Sequence, residues 1–131
     1  MTSNAAREHI LQSGDVGHAS TETREVLRRY HDAFRNHQPD DLVALVADEC
    51  TLENVDGSRH EGKAACLAVW QGIARATDRR FEHEEIFVAG DRIVTRWRLV
   101  WGENEGQSLR GINFMRVESG KFIEAYGYAK R

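Results

Sequence analysis

The sequence predicts an α+β fold in which a strongly curved antiparallel or mixed β-sheet wraps around N-terminal helices. Three observations support this prediction. The 131 residues are enough for one core, helical periodicity comes first in the chain, and long alternating strands fill the C-terminal half. These strands are too long and too mixed for a flat sheet that one helix covers on one side, so a curved sheet fits better.

Residues 1–20 are interpreted as a polar N-terminal leader and residues 21–131 as a single domain. The leader is expected to be either loose or a short helix docked on the domain, and to carry no chemistry. A first helix is predicted from Thr21, since a threonine followed by glutamate is typical of a helix start. The apolar face of this helix consists of Val26, Leu27, Tyr30, Ala33 and Phe34.

Pro39 marks the first turn of a second helix, which is expected to end at residues 47–49. A strand over residues 50–55 and a turn at residues 56–58 follow. Apolar residues at helical spacing then predict a third helix over residues 62–76. Four further strands are predicted over residues 80–88, 92–101, 108–117 and 122–129.

The composition narrows the classes of function. Charged residues make up 30% of the chain and the net charge is −3, so neither nucleic acid nor a membrane surface is an expected partner. The longest apolar runs fall far short of the ~20 residues that span a bilayer, and the N-terminus lacks the apolar core of a signal peptide. A cytoplasmic location is therefore the default expectation. No phosphate-binding loop, metal cluster or Ser-His-Asp order is recognised, and no cofactor or metal is expected.

The two cysteines, Cys50 and Cys66, fit no metal-binding spacing and no CxxC motif. They are interpreted as buried, inert thiols, because a free cysteine packs as a small hydrophobic residue. The alternative is a nucleophile in a pocket, which needs a nearby base or a helix N-terminus.

Several short motifs resemble the nuclear transport factor 2-like superfamily, and within it the ketosteroid isomerase and SnoaL-like polyketide cyclase branches. The resemblance covers about residues 22–130. Its motifs lie at residues 29–30, 41–49, 51–54, 61–63, 98–102, 112–117 and 120–121. Their order and spacing are more specific for the fold than for an activity.

The resemblance implies a cystatin-like α+β barrel whose curved sheet and helices form a conical cavity. It also implies a small apolar carbonyl compound as the ligand, similar to a polyketide or a steroid, and a homodimer formed through the outer face of the sheet. Isomerases of this type use an aspartate base and an oxyanion hole made by a tyrosine and a protonated aspartic acid. By position, Tyr30 corresponds to the tyrosine, Asn54 to the base and Asn113 to the acid.

The two asparagines change the expected chemistry. An amide has no useful proton affinity near neutral pH, so Asn54 cannot be a general base and efficient ketosteroid isomerisation is not expected. Asn54 either holds a ligand or a water molecule, or is a structural polar group. Asn113 lies on an otherwise apolar or small face and needs a partner, which is a ligand carbonyl, a water molecule or Tyr30. Tyr30 is either a core residue or a donor to a ligand oxygen.

The other candidate ligand contacts belong to the third helix or to the strand face that carries Asn113. They are Trp70, Thr95, Trp97, Leu99, Gly111, Met115, Ala125 and Gly127. Plain core packing is the alternative for each of them. His60 is the best remaining candidate for an acid or base, because imidazole titrates near ~6.5, and the alternative is a histidine exposed on a loop. His31 adjoins Tyr30 but is expected to point elsewhere, since neighbours in a helix do not share a face.

Arginines and glutamates alternate with the apolar residues of the predicted strands. They are Arg96, Arg98, Arg110, Arg116, Glu82, Glu84 and Glu124. Cross-strand ion pairs on a solvent-facing or dimer-forming outer surface are expected. A clamp for an acidic ligand is the alternative.

Two classes of function remain open. The first is an enzyme, an isomerase or cyclase with a lyase or hydrolase as further options, in which Tyr30 and Asn113 stabilise an oxyanion and Asn54 orients substrate or water. The second is a non-catalytic small-molecule binding module, or a dimeric interaction domain whose pocket is vestigial. Polar groups in an apolar pocket cost stability unless they are used, and this favours the enzyme.

Overall fold

The computed structural model describes residues 7–10 and 16–130 of the chain. Over these residues the structure contains seven strands and two α-helices. The strands are β1 Arg7–Ile10, β2 Val46–Glu53, β3 Arg59–Glu61, β4 Arg79–Ala89, β5 Arg92–Trp101, β6 Gln107–Glu118 and β7 Lys121–Lys130. The helices are α1 Val16–Arg35 and α2 Lys63–Arg75, with 3-10 helices at Pro39–Leu45 and Glu103–Glu105.

All seven strands belong to one mixed sheet in the order β1-β4-β5-β6-β7-β2-β3. Strand β1 pairs parallel to β4 and β2 pairs parallel to β7, while the remaining neighbours are antiparallel. The pairing is irregular in β2–β7, β4–β5 and β6–β7, and such irregularities bend and twist a sheet. The predicted α+β fold with a curved mixed sheet is confirmed. The sheet does not close, because β1 and β3 lie at its two edges.

The N-terminal part of the domain differs from the prediction. Part of the expected polar leader forms the edge strand β1, and helix α1 begins at Val16 instead of Thr21. Ser20 is buried because its Oγ accepts a hydrogen bond from the backbone N–H of Gly90 at 2.9 Å. The rest of the expected leader, residues 1–6 and 11–15, lies outside the described residues.

The second predicted helix is a 3-10 helix that begins at Pro39 as expected but ends at Leu45. Strand β2 therefore begins at Val46, four residues before the predicted start. Val46 is fully buried and Ala47 is 5% exposed, so this segment pairs with the sheet as soon as the 3-10 helix ends. The later helix and strands lie within two residues of their predicted bounds.

The core lies between the helices and one face of the sheet, which we call the inner face. Helix α1 contributes Val26, Leu27, Tyr30 and Ala33, and α2 contributes Cys66, Trp70 and Ala74. The sheet contributes residues from β2 and from β4 to β7, namely Val46, Cys50, Leu52, Ile86, Val88, Ile93, Met115, Val117, Phe122 and Ala125. The opposite, outer face of the sheet carries the alternating arginines and glutamates.

Strand β4 carries one extra residue relative to β5. His83 pairs with Trp97 and Glu85 pairs with Arg96, so Glu84 is a bulge between two regular ladders. Because side chains alternate between the two faces of a strand, the bulge changes which residues point inward. Residues 81 and 83 share the inner face with residues 86 and 88.

Gly111 lies beneath the ring of Trp97, and we expect this contact to forbid any side chain there. A Cβ atom at Gly111 would lie 2.2 Å from Cζ2 of Trp97 and 2.6 Å from the backbone oxygen of Tyr128. Replacement of Gly111 by alanine should therefore lower the free energy of unfolding by about 1–3 kcal/mol. Urea unfolding measures this change.

Gly72 provides the matched control, because it lies in α2 and a Cβ there meets nothing within 4 Å. Gly72→Ala should raise the free energy of unfolding by about 0.5–1 kcal/mol, since glycine is a poor helix former. A Gly111→Ala protein as stable as the natural chain would contradict the close packing.

Candidate functional site

A cavity of about 640 Å³ lies between α1, the start of β4 and the end of β5. Small-molecule sites usually have roughly 300–1,000 Å³, so the volume suits a small organic ligand. Its apolar wall contains Leu27, Phe34, Ile73, Phe81, Ile86 and Val100. Charged side chains also line it, namely Glu8, Arg24, Arg28, Asp32, Arg35, Asp78, Arg79, Arg80, Glu82 and Glu105. The cavity therefore joins an apolar wall to a charged surround.

Two histidines, His31 and His83, stack against each other at this cavity. Their ring centroids are 3.6 Å apart with an angle of 30° between the planes. Atom Nε2 of His31 is buried and has no hydrogen-bond partner among the described residues. Since the rings are stacked, their nitrogens lie at the edges of the stack and not between the two rings.

Local structure brings the two imidazoles together. Leu27, His31 and Phe34 follow one another at helical spacing, so they form a single stripe on α1. His83 comes to the inner face through the bulge at Glu84, which leaves it on the same side as Ile86. The helix stripe and the bulged strand thus meet at the cavity, where the two rings are in contact.

Both histidines are uncharged at neutral pH. Burial lowers the pKa of His31 well below its ordinary value, and the neighbouring His83 and the charge of Arg35 add to this effect. Burial also lowers the pKa of His83, to about 4, with Arg35 again contributing. Two neutral imidazoles can each accept a proton at one nitrogen and donate one from the other.

Trp97 extends this polar group along the sheet. It lies opposite His83 in the β4–β5 ladder, and its ring meets Phe81 edge-on with centroids 5.5 Å apart. Its Nε1 is buried without a partner among the described residues, as is Oγ1 of Thr95 on the same face. Buried polar atoms without a partner are rare in folded proteins. Three of them, on His31, Trp97 and Thr95, lie on this side of the sheet, and two more belong to Glu84 and Arg98.

Tyr30, the tyrosine singled out in the sequence, lies in the aromatic centre of the core. Its ring centroid is 4.7 Å from that of Phe34, 5.4 Å from Trp70 and 4.8 Å from Phe122. Burial raises the pKa of its phenol, and the thiol of Cys50 adds to the effect. The hydroxyl therefore stays protonated, as a hydrogen-bond donor requires.

Asn113 lies beside Gly127, close to the end of β2. Thr95, Asn113 and Gly127 lie side by side on three neighbouring strands. Strand β2 ends next to β7 at the pair Glu53 and Tyr126, so Asn54 follows beside Gly127. A Cβ at Gly127 would lie 3.2 Å from Oδ1 of Asn113 and 3.2 Å from Cγ1 of Val55, so the missing side chain makes room for both.

The backbone of Asn54 takes part in the turn that follows β2. Its backbone N–H donates to the oxygen of Ser58 at 2.8 Å, and its own oxygen accepts from the N–H of Gly57 at 2.9 Å. His60 follows in β3, opposite Leu52, with Nε2 of His60 3.2 Å from Oγ of Ser58. Asn54 and His60 thus belong to the β2–β3 hairpin.

The other predicted ligand contacts lie in or beside the core. Trp70, Met115 and Ala125 are members of the hydrophobic core, and Leu99 pairs with Phe81. None of the twelve predicted site residues lines the cavity. The residues that line it include His31 and His83. Their roles as ligand contacts stay predictions.

Sequence reasoning missed the two histidines that do border the cavity. His31 shares a helical stripe with Leu27 and Phe34, and this spacing was the available signal. The signal for His83 was weaker. His83 alternates with Phe81 in a strand segment that is otherwise rich in charged residues.

The two cysteines are buried and free. The thiol of Cys66 donates to the backbone oxygen of Cys50 at 3.3 Å. Burial raises the pKa of both thiols, which makes each a poor nucleophile. Within residues 7–10 and 16–130, no cluster of three or more histidine, cysteine, aspartate or glutamate side chains could hold a metal ion, and no helix is long and apolar enough to cross a membrane.

The chain matches a known protein family. A model of the SnoaL-like domain matches residues 27–125. The chain belongs to the SnoaL-like family. A solved nuclear transport factor 2-like protein of unknown function from Mesorhizobium loti is 41% identical, with 94% of this chain and 99% of that chain covered and a TM-score of 0.83. The resemblance inferred from the sequence motifs is confirmed.

Two solved structures of lower sequence identity share the fold. A putative ketosteroid isomerase from Kribbella flavida is 20% identical over 86% of this chain and 80% of its own, with a TM-score of 0.74. A putative polyketide cyclase from Sinorhizobium meliloti is 22% identical over 79% of this chain and 93% of its own, with a TM-score of 0.67. No curated protein sequence matches the chain significantly.

We expect acid to destabilise the SnoaL-like domain through its histidine pair. An imidazole in an unfolded chain titrates near ~6.5, whereas the pKa of folded His83 is about 4. Between these values the unfolded chain binds more protons, so stability falls as the pH drops. From pH 7.5 to pH 5, His83 alone should cost about 2 kcal/mol, and His31 should add to this loss. Urea unfolding at both pH values measures it.

The variant His83→Gln should lose the part of this pH dependence that belongs to His83. His9→Gln is the matched control, because His9 lies on the outer face, stacked on Phe87. If the natural chain and His83→Gln lost equal stability on acidification, the assignment to the buried pair would be wrong.

Proposed function

We propose that this protein binds a small, largely apolar carbonyl compound of polyketide or steroid type in the cavity between α1 and β4, and acts on it as an isomerase or cyclase. One observation carries the proposal. The cavity has an apolar wall, and one of its lining residues, His31, carries a buried ring nitrogen, Nε2, that has no partner among the described residues. Such an atom costs about 1–3 kcal/mol in an unliganded fold, and a ligand oxygen would recover that cost.

The charges around the cavity support a neutral ligand. Its arginines are largely paired with acidic neighbours: Arg35 and Arg28 both contact Asp32, and Arg80 contacts Glu105. The two histidines are neutral at pH 7 for the reason given above. A charged ligand would have to break these pairs, whereas an apolar carbonyl compound needs only a hydrogen-bond donor and an apolar wall.

Binding is expected to depend on the open volume near the end of α2. Ala76 lines the cavity, so Ala76→Phe would fill part of it and leave the histidines in place. With 5-androstene-3,17-dione as the probe, the dissociation constant should rise at least about tenfold. Quenching of tryptophan fluorescence measures binding, since Trp101 also lines the cavity.

Ala68→Phe is the matched control, because Ala68 is exposed on α2 and does not line the cavity. It should bind the probe as the natural chain does. Equal affinity of the two variants for the probe would show that the ligand binds outside this cavity. Failure of the natural chain to bind steroid or polyketide-type ketones would refute the proposed function itself.

We also propose that two copies of the chain pair through the outer face of the sheet. Phe87, Ile112, Phe114 and Tyr128 are 36%, 44%, 38% and 60% exposed there. The register makes the patch continuous, because Ile112 lies beside Tyr128 and Val94 lies between Phe87 and Phe114. Apolar patches bordered by charge mark interaction surfaces, and the ion pairs of Arg96 with Glu85 and of Arg92 with Glu124 border this one.

Phe114→Glu should convert the dimer to a monomer, because it would bury a carboxylate against its own symmetry mate. Analytical ultracentrifugation measures the mass in solution. Val43→Glu is the matched control, since Val43 is 43% exposed on the 3-10 helix, away from the sheet face. A natural chain that sediments as a monomer, or a dimer that survives Phe114→Glu, would contradict this interface.

A further inference from the structure

The loop between β5 and β6, residues 102–106, lies at the rim of the cavity between α1 and β4, and we call it the rim loop. All of its residues are exposed to solvent. Gly102 and Glu105 nevertheless line the cavity, next to Trp101 at the end of β5. The rim loop therefore borders the opening of the cavity without being part of its apolar wall.

Three residues of the rim loop have a positive φ angle, namely Gly102 at 86°, Asn104 at 54° and Glu105 at 55°. Glycine adopts this left-handed conformation freely, and asparagine is enriched in it. Glutamate has neither advantage, so the backbone of Glu105 is in a conformation that few residues of its type adopt. Such conformations persist where the surrounding structure maintains them, and they are concentrated at ligand clamps and switch segments.

Among the described residues, one ion pair connects the rim loop to the rest of the protein. Nη1 and Nη2 of Arg80, at the start of β4, donate to the two carboxylate oxygens of Glu105, the second at 3.2 Å. The backbone hydrogen bonds of the loop are internal. The N–H of Glu105 donates to the oxygen of Gly102 at 3.0 Å, and the N–H of Gly106 donates to the oxygen of Glu103 at 3.1 Å. One turn and one ion pair thus maintain the left-handed conformation of Glu105.

Arg80 also has a second carboxylate within reach. Its Nη2 lies 3.4 Å from Oε2 of Glu82, which belongs to β4 and not to the rim loop. If the loop moves away, the guanidinium keeps this partner and is not left without a counter-charge. Because exposed ion pairs are individually weak, the contact with Glu105 can break and form again readily.

We propose that the rim loop is a lid on the cavity, that the Arg80–Glu105 ion pair holds it closed, and that Arg80 changes partner from Glu105 to Glu82 when the lid opens. Opening unwinds the turn at residues 103–105 and releases the left-handed conformation of Glu105. The lid sets how often the cavity is accessible from solvent. This inference goes beyond the proposed function, because it concerns the entrance of the cavity and not the ligand.

The charges at the lid make the closed form sensitive to salt. The side chains of Arg80 and Glu105 are 49% and 56% exposed, so dissolved ions screen their attraction. The hydrogen bond from Arg80 lowers the pKa of Glu105, and the charge of Arg98 adds to this effect. Glu105 is therefore ionised at neutral pH, as the ion pair requires.

Two measurements on the full chain without ligand test the lid. Amide hydrogen exchange, followed by nuclear magnetic resonance, reports the internal bonds of Glu105 and Gly106, which break when the turn unwinds. Diethyl pyrocarbonate, a small neutral reagent that acylates uncharged imidazoles, reports access to the cavity through its rate of reaction with His83. Mass spectrometry measures this rate relative to His60, which does not line the cavity.

Glu105→Gln should raise both rates about two- to fivefold, because an exposed ion pair changes an equilibrium by at most about that factor. Glu82→Gln should lower both rates, since Arg80 then has no alternative partner when the lid opens. Glu103→Gln is the matched control, because it removes the same charge from the same loop and Glu103 has no ion pair among the described residues. Its rates should equal those of the natural chain. A rise from about 0.05 M to about 0.5 M sodium chloride should speed both reactions in the natural chain and not in Glu105→Gln.

The opposite directions expected for Glu105→Gln and Glu82→Gln separate a lid from a general loss of stability, which would raise the rates in both variants. Unchanged rates in Glu105→Gln, or an equal rise in Glu103→Gln, would overturn the role of the ion pair. Faster exchange in the loop with unchanged labelling of His83 would show that the loop moves but does not close the cavity, and would overturn the lid. Failure of the natural chain to bind ketones refutes the proposed function and leaves these rates unaffected.

Discussion

The extra residue Glu84 in β4 determines which side chains reach the inner face. Without it, His83 and Ile86 would lie on opposite sides of the sheet, because side chains alternate along a strand. The nearby ion pairs do not explain the bulge, since Glu84 lies 3.7 Å from Arg96 and 3.9 Å from Arg110, and half-exposed pairs contribute only about 0–1 kcal/mol. Apolar residues on both sides of the bulge pack on the inner face and stabilise it. Phe81 precedes the bulge, and Ile86 and Val88 follow it.

The fold was predictable where a long segment carries one uniform pattern. Strand β5 begins and ends at the predicted residues 92 and 101, and buried residues alternate with more exposed ones over residues 92–98. The predicted bounds were wrong for a short segment and for a segment whose buried residues are polar. Strand β1 has four residues, too few for a period to show. The first turns of α1 looked polar, yet Ser20 and Thr23 are buried, and Ser20 is satisfied by a backbone N–H from the distant residue Gly90.

The site was less predictable, because it depends on contacts between distant residues. Resemblance to a family indicated Tyr30, Asn54 and Asn113. In the structure Tyr30 lies in the aromatic core, Asn113 lies beside Gly127 and Asn54 lies in the turn after β2. The histidine pair joins residues 31 and 83, which no local pattern connects. A bulge is invisible to periodicity, so the inward direction of His83 could not be read from the sequence. Sequence periodicity predicts the apolar face of a single helix or strand. Only the tertiary structure shows which of these faces are in contact.

The parallel pairing of β1 with β4 sets an order of events during synthesis. The first strand leaves the ribosome early, but His9 meets its partner Glu85 only 76 residues later, at a distance of 2.9 Å in the finished protein. At a translation rate of roughly 5–20 residues per second, the wait is about 4–15 seconds. The nascent N-terminus must remain unpaired during this time, so β1 cannot start the folding of the sheet and can only join a sheet that later residues have begun.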